Sequence, residues 1–289
     1  MSGPILITGA TGQVGSALHK LFPDALAPTR AELDLASESS IRTYIQKTKP
    51  RWIINPAAYT AVDKAESEAS LAHAINAEAP RVLGEEALKC SATVLHFSTD
   101  YVFDGTLDRP YTELDPTNPT SVYGRTKLLG EQSLAATGVP HIILRTSWVY
   151  AATGRNFLLT VLRLARERAA TNQPLKIVAD QHGTPTSATE LAHTAAAILA
   201  HPHPTPGIYH ATNPGSTTWH GFAQEIVRLA RIAHPDTAFA DPIPISTAEF
   251  PTPARRPANS RLDCTRLART FNLRLPEWQT SLAQVMSEL

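Results

Sequence analysis

Pro4-Ile5-Leu6-Ile7-Thr8-Gly9-Ala10-Thr11-Gly12-Gln13-Val14-Gly15 joins a short apolar run to a turn with glycines three apart. A helical pattern carried by Val14, Leu18 and Leu21 then begins. An unbroken apolar run of this length suits a strand covered on both faces, as in a parallel sheet. Strand, glycine turn and helix start in that order gather backbone N–H groups and a helix N-terminus at one place, where a pyrophosphate can sit. The spacing is Gly-x-x-Gly-x-x-Gly, not the commoner Gly-x-Gly-x-x-Gly, and a plain tight turn is the bland alternative. The clean strand before it favours a dinucleotide turn, with Gly9, Gly12, Gln13 and Val14 as candidate contacts.

Working outward, Asp24-Ala25-Leu26-Ala27 reads as a second strand, followed by Pro28-Thr29-Arg30 where an NAD-selective site would carry an acidic residue. Arg30 suits a 2′-phosphate, so NADPH is favoured with NADH still open; a surface loop cation is the alternative. Asp34 and Leu35 follow, where they can approach the adenine or ribose. Residues 37–49 carry Ile41, Tyr44 and Ile45 on one helical face with Ser37 as a candidate cap. Trp52–Asn55 is a third strand, and its exit loop holds Ala58, Tyr59 and Thr60, small enough in part to let backbone approach a dinucleotide. Residues 63–89 are helix-forming, with a break or kink expected at Pro80. Thr93–Ser98 is the next strand, residues 104–122 a long polar loop, residues 123–136 a helix and His141–Arg145 a further strand.

This alternation predicts an α/β fold, a doubly wound parallel sheet of Rossmann type, with a smaller C-terminal substrate-binding lobe. Residues 1–150 would form the dinucleotide-binding domain, with segments from about 174 to 212 adding to it; residues 151–173 and 213–289 would build the lobe. Within the later part, helices are expected at 156–168, 188–200 (capped by Ser187), 219–233 and 276–289, and strands at 175–178 and 208–211. Ligands of such sheets bind beyond the carboxyl ends of the strands. Gly9–Gly15, Ala58–Thr60, Ser98-Thr99 and Ser147-Trp148 would therefore face one crevice.

Tyr123 and Lys127, four apart, lie on one helical face, so both can lean toward one ligand. The ammonium is expected to lower the phenol's pKa and make it a proton donor near neutral pH, with Thr99 at a strand end bonding the same substrate oxygen. Taken alone, Tyr-x-x-x-Lys is more often a solvated helix face.

Composition excludes other classes. Lys plus Arg number 26 and Asp plus Glu 26 in 289 residues, which gives no reason to expect nucleic acid or an acidic membrane surface as a partner. Cys90 and Cys264 fit no metal spacing and read as reduced thiols. Met1 stands too close to the first strand for a signal peptide, and no apolar run reaches membrane-spanning length, so a cytoplasmic protein is expected. His201-Pro202-His203-Pro204, with a proline after each histidine, reads as a surface connection.

Four stretches together carry a resemblance: Ser98-Thr99-Asp100-Tyr101-Val102-Phe103, Tyr123-Gly124-Arg125-Thr126-Lys127, Arg145-Thr146-Ser147-Trp148-Val149-Tyr150, and Arg255-Arg256-Pro257-Ala258-Asn259-Ser260. The chain resembles the dTDP-4-dehydrorhamnose reductases, extended short-chain dehydrogenase/reductases that complete dTDP-L-rhamnose synthesis, over nearly its whole length. The resemblance implies Thr99, Tyr123 and Lys127 as the catalytic set. Ser98, Tyr123 and Lys127 join the cofactor contacts, and Asp100 and Trp148 stand near the sugar nucleotide. It implies hydride transfer from NADPH to the C4 ketone of dTDP-4-dehydro-L-rhamnose. Arg255 and Arg256 are candidates for the diphosphate because guanidinium forks match phosphate oxygens, a solvated basic pair being the alternative. Asn259 and Asn156 complete the substrate-binding candidates.

Some family members use Mg²⁺ at a dimer interface with an acidic residue on the first helix. Ala17 stands there, and Glu190 and Glu288 fall near other ligand positions, so no metal is expected and a homodimer is left open. A nucleotide-sugar dehydratase would want an acidic pair after the Thr, whereas Tyr101 follows Asp100. A non-catalytic NADP-binding regulatory subunit is the remaining rival, disfavoured by the intact Thr99, Tyr123 and Lys127.

Overall fold

The computed structural model describes residues 3–289, so the expectation drawn from Met1 lies outside the described residues. In chain order the elements are β1 (Ile5–Ile7), α1 (Gln13–Leu21), α2 (Glu38–Thr48), β2 (Trp52–Asn55), α3 (Val62–Ala65), α4 (Ala69–His73), α5 (Ala79–Lys89) and β3 (Thr93–Thr99). Then come α6 (Val122–Ala136), β4 (His141–Thr146), β5 (Val149–Tyr150), α7 (Phe157–Ala170), β6 (Leu175–Val178), β7 (His182–Gly183), β8 (Thr186–Ser187) and α8 (Ala188–Ala200). The chain closes with β9 (Gly207–His210), β10 (Thr217–Thr218), α9 (Trp219–Ala233), β11 (Pro242–Ile245), α10 (Thr265–Phe271) and α11 (Trp278–Met286).

The central sheet has the order β1-β2-β3-β4-β9, every pair parallel. Successive strand residues point to opposite faces, and both faces are covered by helices. Ile7, Ile54, Leu95 and Leu144 meet α1 and α8 through Leu18, Leu191 and Ala195. Their neighbours Leu6, Ile53, Val94 and Ile143 meet α2, α5 and α6 through Ile41, Leu83 and Leu134. This two-sided burial is why the strands read as continuous apolar runs.

Residues 24–27 do not form the full strand expected. Only Leu26 bridges to β1, donating its N–H to Ile5 and accepting from the Ile7 N–H, both at 2.8 Å. Pro28 has no N–H with which to extend the ladder. The chain still winds outward to Leu26 and back across to β2, so the direction of winding reverses at β1 and opens the crevice there.

The helix does not break at Pro80: residues 69–89 stay helical, and the chain leaves the helix at 66–68 instead. Proline occupies the first turn of α5, where its missing N–H costs least, and a single π-helical turn, Ala74–Glu78, joins α4 to α5. Ser187 precedes α8 but makes no side-chain cap; its N–H is instead taken by Asn213 Oδ1 at 3.0 Å.

The segment expected to join the sheet at 174–212 divides. β9 joins it and α8 packs on its face, whereas β6 pairs in parallel with β11 in the second lobe. Leu175 and Ile177 are buried while Lys176 is exposed, a one-sided pattern that suits the lobe's small sheet and not a doubly covered one. Tyr150, Leu158, Val161, Ile177, Phe222 and Leu282 make the lobe's own core. Among the described residues no helix is long and apolar enough to cross a membrane.

Candidate active site

The glycine turn is built by close backbone approach. Gly9 has φ +57°, and a Cβ there would stand 2.9 Å from the Ala57 Cβ; a Cβ on Gly15 would fall 2.1 Å from the Gly9 carbonyl oxygen. α1 therefore packs directly onto the turn. Its cap residue, Gly12, offers no side-chain acceptor, leaving the first-turn N–H groups to an outside anion.

Two cavities meet at this turn and share Gly9, Thr11, Ala57 and Ala58. One, of about 450 Å³, runs past Gly12, Gln13, Val14 and Thr60 to Ser98, Tyr123 and Lys127. The other, of about 400 Å³, is lined by Arg30, Asp34 and Leu35. Two joined cavities of this size offer room for a dinucleotide lying across the glycine turn, one end beside Tyr123 and Lys127 and the other beside Arg30. The Arg30 side chain is 75% exposed and pairs loosely with Asp34, Nε to Oδ1 3.6 Å, a surface contact that a phosphate can displace.

α6 carries the tyrosine and lysine. Ser121 caps it by accepting the Gly124 N–H at 3.1 Å, and Gly124 lies so close to the Tyr101 carbonyl that a Cβ would be 2.2 Å from that oxygen. This fixes the helix start against the end of β3. One turn on, Lys127 is buried and donates to the Phe97 carbonyl at 2.7 Å, with His96 Nε2 at 3.2 Å. Thr99 Oγ1 donates to Asp100 Oδ1 at 3.0 Å and accepts the Tyr101 N–H at 3.2 Å. A hydroxyl has one proton, so Thr99 must turn from Asp100 before it can donate to a substrate oxygen.

Electrostatics correct one expectation. Burial pushes the Tyr123 phenol up to about 12, the Thr99 hydroxyl offsetting part of this and the Asp100 charge adding to it. Lys127 does not pull the phenol down, because its ammonium is directed at Phe97 and His96 and is itself lowered to about 8 by burial against the help of Glu131. The phenol therefore stays protonated near neutral pH, which is the state a proton donor requires. Asp100 is raised to about 6, burial outweighing nearby Ser260 and Thr99, and its Oδ2 makes no aligned hydrogen bond.

The floor is a buried polar layer. Arg145 donates to Glu131 at 2.9 and 2.7 Å, and Ser98 Oγ donates to the same carboxylate at 2.5 Å. Asn76, placed by the π-turn, accepts the Tyr59 N–H at 2.8 Å and donates to the Tyr59 carbonyl at 3.1 Å, holding the loop after β2.

Trp148, next to the cavity-lining Val149, adopts φ +48° and stacks on Trp219 at 3.6 Å between centroids. Gly183 also packs against the Trp148 indole, where a Cβ would sit 2.5 Å from it.

Comparison with known proteins agrees with this arrangement. The model of the RmlD substrate binding domain matches residues 3–289. The dTDP-4-dehydrorhamnose reductase of Burkholderia thailandensis is 43% identical, the match covering 99% of this chain and 98% of that protein. The chain belongs to the dTDP-4-dehydrorhamnose reductase family. A probable dTDP-4,6-dihydroxy-2-methyloxan-3-one 4-ketoreductase of Streptomyces antibioticus is 39% identical, over 98% of this chain and 95% of that protein. Among solved structures, the dTDP-4-dehydrorhamnose reductase of Bacillus anthracis in complex with NADP superposes with TM-score 0.92 at 33% identity, covering 100% of each chain.

Against the reductase pattern, the structure brings Gly9, Gly12, Gln13, Val14, Ala58, Thr60, Ser98, Tyr123 and Lys127 to one cavity and Arg30, Asp34 and Leu35 to its extension. Tyr59 lines neither; its hydroxyl donates to Glu68 at 2.5 Å. Of the substrate candidates, Asn156 caps α7 through Leu159 and donates to Gln13 Oε1 at 2.9 Å. Asn259 donates to the carbonyls of Leu107 and Arg109, both at 2.8 Å, and so binds the long loop to the C-terminal segment. Arg256 is paired with Asp63 at 2.8 Å, while the Arg255 side chain is exposed. Trp219, Gly183, Asn76 and the Glu131–Arg145 pair were not singled out from the sequence. Their partners are remote in the chain, and no local motif marks them.

Proposed function

We propose that this protein reduces the C4 ketone of dTDP-4-dehydro-L-rhamnose to dTDP-L-rhamnose with NADPH. The observation that carries the reading is the meeting of Tyr123 and Lys127 with the glycine turn in one cavity, with Thr99 beside them. The reduced cofactor, when bound, supplies the hydride. Tyr123, held protonated, gives its proton to the oxygen that gains charge, and Thr99, once turned from Asp100, donates a second hydrogen bond to that oxygen. Lys127 has an N–H beyond those used by Phe97 and His96 and faces the cavity, where it can hold a ribose hydroxyl. Arg30 favours the 2′-phosphate of NADPH over NADH. Trp148 offers a flat apolar wall to the sugar, and exposed Arg255 a cation to the diphosphate.

The test is NADPH consumption by the purified protein with enzymatically prepared dTDP-4-dehydro-L-rhamnose, with the product identified by NMR. Rhamnose stereochemistry at C4 supports the reading; absence of turnover by folded, NADPH-binding protein overturns it. The similarity to the Streptomyces ketoreductase favours one other reading, reduction of a different dTDP-linked 4-ketone. A higher kcat/KM for such a sugar would select it.

A further inference from the structure

Beneath the cavity, four side chains from four elements make one hydrogen-bonded row: Thr8 after β1, Asn55 at the end of β2, His96 in β3 and Lys127 in α6. Asn55 and His96 are register partners on adjacent strands, which puts their side chains side by side on one face. Thr8 Oγ1 and Asn55 Oδ1 are 2.5 Å apart, Asn55 Nδ2 and His96 Nδ1 3.0 Å, and His96 Nε2 and Lys127 Nζ 3.2 Å. All four residues are 1% exposed, so the bonds between them are shielded from bulk water. The reduction proposed above assigns His96 no part.

We infer that His96 is a positioning residue that accepts a hydrogen bond from the Lys127 ammonium through Nε2, and that Asn55 holds the imidazole in the tautomer that allows it. The inference rests on Lys127 serving the proposed reduction.

The argument is one of donors and acceptors. An ammonium only donates, and a neutral imidazole has one donor nitrogen and one acceptor. Burial and the neighbouring Lys127 charge keep His96 neutral. If Nε2 accepts from the ammonium, Nδ1 carries the hydrogen, and the Asn55 atom facing it is the amide oxygen. The amide nitrogen then faces Thr8. That is the reverse of the orientation in which Asn55 Nδ2 faces His96; the two have the same shape, and the reversed amide requires the 2.5 Å contact with Thr8 to lengthen to an N–H···O distance. The unreversed amide would leave Nε2–H pointing at Nζ, which only a neutral lysine can accept. Two observations favour the ammonium. Its 2.7 Å bond to the Phe97 carbonyl has the length of a charge-assisted contact, and the Glu131 carboxylate lies one helical turn further along α6.

The ionisable groups around this pair are Glu131 and Tyr123 from α6 and His141 from β4. The row ends at Thr8, which lies after β1 beside the Arg30 cavity, and it holds the lysine in place.

The deciding experiment is ¹⁵N NMR of the imidazole side chains in the folded protein at neutral pH, with His96 assigned by the signal lost in His96→Gln. A protonated Nδ1 with a bare Nε2 supports the inference; a protonated Nε2 overturns it. The pH profile of kcat is the second readout. Removing the acceptor in His96→Phe destabilises the ammonium, so the alkaline limb should move down by about one pH unit. His96→Gln, which keeps an acceptor oxygen, should restore most of that shift. A limb that stays in place or moves up in folded His96→Phe overturns the inference. Lys127→Ala separates the two claims. Unimpaired turnover there removes the lysine's catalytic role, whereas the tautomer of His96 in the unaltered protein is decided independently of any activity.

Discussion

The indoles of Trp148 and Trp219 lie 3.6 Å apart and within 11° of parallel, and Gly183 packs against the Trp148 indole. Trp148 holds a left-handed backbone, φ +48°, which costs a non-glycine residue on the order of 1–3 kcal/mol. Stacking of the two rings offsets part of that. Gly183→Ala would place a methyl 2.5 Å from the indole and force the ring aside. The expected outcome is a roughly tenfold rise in KM for the sugar nucleotide, a stability loss of about 1–3 kcal/mol and unchanged NADPH affinity. Steady-state kinetics with calorimetric NADPH titration checks it; an unchanged KM removes Trp148 from the substrate wall.

Tyr123→Phe removes the proton and little else, because the ring stays packed edge-on against Tyr101 at 5.5 Å. Turnover should fall by roughly 10²–10⁴ while NADPH still binds. A variant that keeps more than a tenth of the original kcat would mean that another group or a water supplies the proton.

Asp100 should lower stability as pH rises. Its folded pKa, raised from 3.8 to about 6, means that the folded state binds the proton more tightly than the unfolded one. Stability therefore declines as pH rises from about 4 to about 6 and stays lower above that. Asp100→Asn removes this loss, so the variant should melt above the parent at pH 7, by on the order of 1–3 kcal/mol, and show little advantage at pH 4. Thermal unfolding across that range tests the sign; an advantage that is larger at pH 4 contradicts it.

Arg30→Ala should raise KM for NADPH by roughly tenfold and leave KM for NADH nearly unchanged, since the exposed guanidinium is loosely paired and the 2′-phosphate is the one difference between the cofactors. Equal effects on both cofactors would place Arg30 on some part common to them.

Much of this fold was legible because local pattern and tertiary demand agree. The strands are buried on both faces, so their apolar runs were continuous, and the turn at Gly9–Gly15 needs glycine for steric reasons that any strand-to-helix approach of this closeness imposes. Tyr123 and Lys127 share a helix face at a spacing that can be read directly. Where the signal was local but weak the reading went astray. Residues 24–27 supply one bridge and no full strand, and β6, alternately buried and exposed, belongs to the other lobe.

The sequence by itself determined the doubly wound architecture, the position of the glycine turn and the identity of the catalytic candidates, because each depends on residues close together in the chain. Only the tertiary structure decided how the site is charged and held. The direction of the Tyr123 shift follows from burial, which no spacing records. The engagement of Arg256 by Asp63 joins residues 193 positions apart. The row from Thr8 to Lys127 depends on strand register, which sets side by side polar groups that the sequence scatters over four elements. Hydrogen bonds and desolvation act through space at a few ångströms, so these properties exist only once the sheet has brought its strand ends together.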